Sequence, residues 1–140
     1  MLGLKWSDKV TNEALYACCG IPPASLQVVN ARWRLFGHTL RMDESAPARK
    51  AMAYYFVNDH AGRKGNRVTI ATALSSEYKS AKGSPINNDT QYQDIVSLAQ
   101  DREAWKSLVK DVTNKYSYNY DAKVQRKKEL MQVAKESRSA

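Results

Sequence analysis

From Leu26 onward the apolar residues fall at Leu26, Val29, Trp33, Phe36 and Leu40, in alternating steps of three and four. An α-helix turns once per 3.6 residues, so these side chains share one face; the period of two in a strand would scatter them over both. The chain is therefore organised around at least one amphipathic helix, and its two large aromatics must be covered by other elements. Nowhere does the sequence show the sustained alternation of a sheet protein, and it contains no internal repeat. The predicted fold is all-α, a small bundle of five or six short helices. With 140 residues, 43% hydrophobic and 26% charged, it has the size and make-up of one globular core rather than two.

Punctuation residues place the other helices. Ser7 and Thr11 are candidate caps for a segment from Ser7 to Cys19 that Gly20 stops, and Pro22-Pro23 resets the backbone. Ser45 and Pro47 begin a helix through Ala51, Met52, Tyr55 and Phe56. Thr69 begins another through Ile70, Leu74 and Tyr78, ended by Gly83-Ser84-Pro85. Asp89 or Thr90 caps the next, whose buried side is Tyr92, Ile95, Leu98 and Ala99. Asp101 is a further cap, and Trp105, Leu108, Val109 and Val112 form a last apolar stripe that closes the core. These elements make a helical domain over 1–115. Residues 116–140 mix tyrosines with Lys123, Arg126, Lys127, Lys128, Lys135 and Arg138, a basic tail that is either helical, disordered, or helical only when bound. Gly37 interrupts the strongest stripe, so either another backbone approaches there or the helix breaks before His38.

Charge decides which partners come first. A formal net charge of +8 attracts polyanions, with nucleic acid ahead of anionic lipid. Arg34, His38 and Arg41 stand at i, i+4 and i+7 and form a basic ridge. Arg32 flanks the apolar stripe, where its aliphatic stem can cover the core edge. Arg49 and Lys50 ride on the helix after Pro47, and Arg63, Lys64 and Arg67 are spaced by glycines in a loop suited to a phosphate backbone. The bland alternative is a solvated face pairing with acids such as Asp43 and Glu44. Trp33 and Trp105 lie in apolar stripes and read as core rather than as platforms for bases.

Several chemistries are missing. Cys18 and Cys19 are adjacent and cannot easily reach disulfide geometry; they read as a small apolar pair near a helix end. With His38 and His60 they lack the spacing of a zinc site, so no metal or cofactor is expected. There is no P-loop and no G-x-S-x-G elbow. No apolar run of about twenty residues occurs, and the N-terminus lacks the pattern of a signal peptide, so an intracellular address is expected. The triplet Asn88-Asp89-Thr90 is then a chance match to a glycosylation site.

Three blocks carry a resemblance. Leu2-Gly3-Leu4-Lys5-Trp6-Ser7-Asp8-Lys9-Val10-Thr11-Asn12-Glu13 is similar to an "LG-x-x-W-x-D-x-V-x-N" stretch. Arg32-Trp33-Arg34-Leu35-Phe36-Gly37-His38-Thr39-Leu40-Arg41-Met42 resembles "RWRWLGH-x-LRM", with Pro47 and Ala51 after it. Ala99-Gln100-Asp101-Arg102-Glu103-Ala104-Trp105-Lys106-Ser107-Leu108-Val109 is similar to "A-x-DR-x-x-W-x-x-LV". In this order they resemble the region after the polymerase palm, thumb and post-thumb, in reverse transcriptases of non-LTR (LINE-type) retrotransposons. The likeness runs from Leu2 to about Lys110. It departs at Gly62-Arg63-Lys64-Gly65-Asn66-Arg67-Val68, where the family's "G-x-R-x-x-GRP" loop carries a proline.

The resemblance implies a non-catalytic, nucleic-acid-binding C-terminal fragment that clamps template RNA or target DNA through its phosphates. Its partners would be that RNA or DNA and the rest of the parent enzyme, in the nucleus with a cytoplasmic ribonucleoprotein stage. The parent would be an RNA-directed DNA polymerase. The metal-binding carboxylate pair of its "Tyr-x-Asp-Asp" motif has no counterpart here, since Tyr92-Gln93-Asp94-Ile95 offers one carboxylate. The competing expectations are a domesticated or remnant protein-interaction module without nucleic-acid binding, and a peripheral binder of anionic membrane.

Overall fold

The computed structural model describes residues 3, 5–57 and 69–139. After a single 3-10 turn at Trp6–Asp8, the described residues form six α-helices and no strand: α1 Asn12–Cys19, α2 Ala24–Leu40, α3 Pro47–Val57, α4 Ile70–Lys82, α5 Asp89–Gln100 and α6 Arg102–Ser139. The all-α bundle expected from the periodicity is what forms. Among these residues no helix is long and apolar enough to cross a membrane.

The stripe on α2 is the centre of the core. Val29, Trp33, Phe36 and Leu40 are buried, and α3, α4, α5 and α6 pack around them through Met52, Phe56, Leu74, Tyr92, Ile95, Trp105, Leu108 and Val112. The aromatics form one continuous cluster. Phe36 stacks on Phe56 at 5.4 Å and Phe56 on Tyr92 at 5.3 Å, while Phe36 meets Trp33 and Trp105 edge-on at 5.8 and 5.7 Å. Trp33 also stacks on Tyr78 at 6.3 Å. Each such pair contributes about 0.5–1.5 kcal/mol beyond area burial, so the cluster joins five helices at their common centre. Ile86, in the connection before α5, is buried as well, its backbone held by the Ser75 hydroxyl.

Helix ends follow the capping residues closely. Thr11 caps α1, Gly20 ends it in the left-handed region at φ 64°, and Thr69 caps α4 in a capping box with Thr72. Helix α5 differs from the sequence expectation: its cap is Asn88, not Asp89 or Thr90. The Asn88 side-chain oxygen accepts from the Gln91 backbone N–H at 2.8 Å, and the Gln91 side-chain oxygen accepts from the Asn87 backbone N–H. Asp89 thereby becomes the first helical residue, where its charge suits the helix dipole.

Asp101 caps α6, its Oδ1 accepting from the amides of Glu103 at 2.9 Å and Ala104 at 3.2 Å. Asp101→Ala removes both bonds and is expected to lower stability by about 1 kcal/mol in a urea melt. Once started, α6 runs for 38 residues, about 57 Å. It is not one of the short helices expected, and it has no break near Tyr116. The segment after Val112 contains neither glycine nor proline, so nothing in the chain stops it. Pairs such as Gln125–Glu129 and Gln132–Glu136 support its exposed far half.

Candidate nucleic-acid interface

Gly37 lies inside an unbroken α2, so the helix does not end before His38. The close approach comes from a side chain: a Cβ at Gly37 would lie 2.5 Å from Cε2 and 2.8 Å from Cδ1 of Trp105, and closer still to its Nε1. The same indole N–H donates to the Trp33 carbonyl at 3.2 Å. One turn further on, Arg41 donates to the carbonyl of Ala99 at 3.0 Å, just before α6 begins. The start of α6 thus sits at the C-terminal end of α2, and the two helices run antiparallel. Pro22 and Pro23, before α2, accordingly border the same groove as Tyr120 and Val124 far along α6.

This pairing sets the surface charge. Phe36 of α2 stacks on Phe56 of α3, which stacks on Tyr92 of α5, and Lys82 of α4 reaches Asp111 of α6 at 2.7 Å, so α3, α4 and α5 occupy one side of the α2–α6 pair. Helical geometry turns Arg34 and His38 to the opposite side, and both are exposed. On α6, Arg102, Lys106 and Lys110 stand at i, i+4 and i+8, also exposed, on the flank turned from Asp111. The five residues border one outer seam. Lys106 pairs with Glu103 at 2.6 Å, but both are well exposed, so that bond contributes little and yields to a stronger anion.

The structure treats the other sequence candidates differently. Arg41 is half-buried and Arg49 reaches back to the carbonyls of Leu40 and Met42, with Glu44 3.8 Å away. Both guanidinium groups satisfy carbonyls left unpaired at helix C-termini, which holds α2, α3 and α5 together. Lys50 is exposed on α3, on the Phe36 side of α2 and away from the seam. Arg63, Lys64, Arg67 and His60 lie outside the described residues. Arg32 does not merely cover the core edge: it is ion-paired to Glu77 of α4, whose other oxygen accepts from the Trp33 indole N–H at 2.8 Å. Trp33 and Trp105 are core, as expected. Cys18 and Cys19 are free and exposed.

Sequence reasoning passed over Arg102, Lys106 and Lys110, although their spacing of four was a readable signal. Among the described residues no group of three or more His, Cys, Asp or Glu side chains is placed to hold a metal ion. Comparison of the chain with protein-family profiles, curated proteins and solved structures returned no match.

Proposed function

We propose that this chain is a non-catalytic nucleic-acid-binding element, the C-terminal part of a reverse transcriptase of the non-LTR retrotransposon type, which clamps template RNA or target DNA by its phosphates. The observation that carries the reading is the α2–α6 seam. Two of the three blocks that resemble that family, 32–42 and 99–109, supply its contacts: Trp105 on Gly37, Trp105 to the Trp33 carbonyl, and Arg41 to Ala99. The same contacts set Arg34, His38, Arg102, Lys106 and Lys110 along one outer face. Cations on rigid helices meet a sugar-phosphate backbone without reading bases, so binding is sequence-tolerant and salt-dependent.

The test is a fluorescence-anisotropy titration against duplex DNA and single-stranded RNA over a salt series. Substituting Arg34, Arg102, Lys106 and Lys110 together by glutamine should make the log–log salt dependence shallower by roughly 0.9 per lost phosphate contact on duplex. The melting temperature should hardly move, because all four are exposed. A folded chain that binds neither nucleic acid at low salt would overturn the proposal. The remnant interaction module would then be the better reading, and the groove between α1 and α6 is the observation that favours it.

A further inference from the structure

Among the described residues, one groove on this strongly basic chain brings two carboxylates beside two tyrosines. Between α1 and the far half of α6 lies an open groove of about 500 Å³, lined by Glu13, Tyr16, Tyr120, Asp121 and Lys128. Pro22 and Pro23 line it as well. Among the described residues neither Glu13 nor Asp121 is in an ion pair, and neither Tyr16 nor Tyr120 is in a ring–ring contact. Hydrogen bonds with its own backbone and Thr11, together with the charges of Lys127 and Lys128, hold the Glu13 carboxyl below its usual range, so it is ionised in the groove beside Asp121. Their convergence is felt at Tyr120, whose hydroxyl is held above its usual range by loss of water and by the negative charge of Glu13, beside Tyr16 and Asp121.

Two carboxylates beside two aromatic faces make a site for an organic cation. The ring quadrupoles attract positive charge and the carboxylates neutralise it. A planar guanidinium satisfies both at once, stacking on a tyrosine while donating in a fork to a carboxylate; a lysine ammonium cannot do both equally well. We infer that the α1–α6 groove, bordered by Glu13, Tyr16, Tyr120 and Asp121, is a docking site for an arginine side chain of a peptide partner. The volume exceeds what one side chain fills, so residues flanking the arginine lie against Pro22 and Pro23. The site is separate from the basic seam and does not depend on nucleic-acid binding.

The test uses the full chain, without nucleic acid, in a calorimetric titration with a short peptide carrying one arginine, beside the same peptide with citrulline. Citrulline keeps the shape and removes the charge. Saturable binding of the arginine peptide, weakened at least about tenfold by citrulline and by Glu13→Gln with Asp121→Asn, is the expected result. Tyr120→Phe should keep the affinity and Tyr120→Ala should lose it, with circular dichroism confirming that each variant is folded. Equal binding of the citrulline peptide, indifference to the carboxylate variants, or no saturable binding by the folded chain would overturn the inference. So would a Tyr120→Ala variant that binds as well as Tyr120→Phe.

Discussion

Gly37→Ala is expected to destabilise the protein by about 2–3 kcal/mol, although alanine is the better helix former. In an exposed helix the change would add up to about 1 kcal/mol of stability. Here the new methyl would enter the space of the Trp105 indole, 2.5 Å from Cε2. The indole is a rigid group, 4% exposed, wedged against Trp33 and Phe36 and hydrogen-bonded to the Trp33 carbonyl. It cannot step aside without opening the aromatic cluster, so α2 and α6 must separate instead.

Removing the indole should reverse the sign. Trp105→Ala alone costs about 3–5 kcal/mol, but in that background Gly37→Ala should be neutral or stabilising, since only the helix preference remains. A urea-denaturation double-mutant cycle reads this directly. Additive effects of the two substitutions would mean that the contact does not hold the helices together.

The second large effect is expected at Glu77. This carboxylate is 12% exposed, ion-paired with Arg32 and accepting from the Trp33 indole. Glu77→Ala leaves a buried N–H without an acceptor and a half-buried guanidinium without its partner, and should cost about 2–3 kcal/mol. The figure is kept below that of a fully buried pair because Arg32 retains a quarter of its exposure. Glu77→Gln keeps one oxygen acceptor, which can serve Arg32 or the Trp33 indole but not both, and turns an NH2 group toward the other donor, so it should cost less than Glu77→Ala without being neutral.

The pH dependence separates charge from hydrogen bonding. Burial raises the Glu77 carboxyl above its usual value, outweighing the opposing pull of Trp33 and Arg32. A carboxyl whose pKa is higher folded than unfolded adds stability as pH falls through the folded value, an addition complete below the unfolded value near 4.5. Relative to Glu77→Gln, the native protein should therefore gain stability on acidification from neutral pH toward 4.5. A constant difference between the two melts across that range would show that the carboxyl is not strained by its burial.

Much of this arrangement was legible in the chain. The three- and four-residue steps of Leu26 to Leu40 and of Trp105 to Val112 identify the two central helices, because burial of one face is the strongest demand a helix makes on its sequence. Thr11, Gly20, Thr69, Gly83 and Asp101 mark helix ends because capping is local chemistry. Asn88 was missed by one position, since Asn88, Asp89 and Thr90 are all good caps by residue type and only the backbone decides which one sits at the helix start.

Other features depend on partners distant in sequence. Arg41 and Arg34 look alike on a helical wheel, yet one binds the Ala99 carbonyl 58 residues away and the other faces solvent. Glu77 carries no local sign that it will meet Arg32 and Trp33, and the groove at Tyr120 needs residues of α1 and α6 that are about a hundred positions apart. Gly37 posed a choice that its neighbours could not settle, since a glycine reports that space is needed without saying what fills it. The sequence by itself determined the helical periods, the helix ends and the excess of positive charge, all properties of neighbours within a few residues. Only the tertiary structure decided which cations are free and which hold helix ends, because that depends on the carbonyls and carboxylates that packing brings within hydrogen-bonding distance.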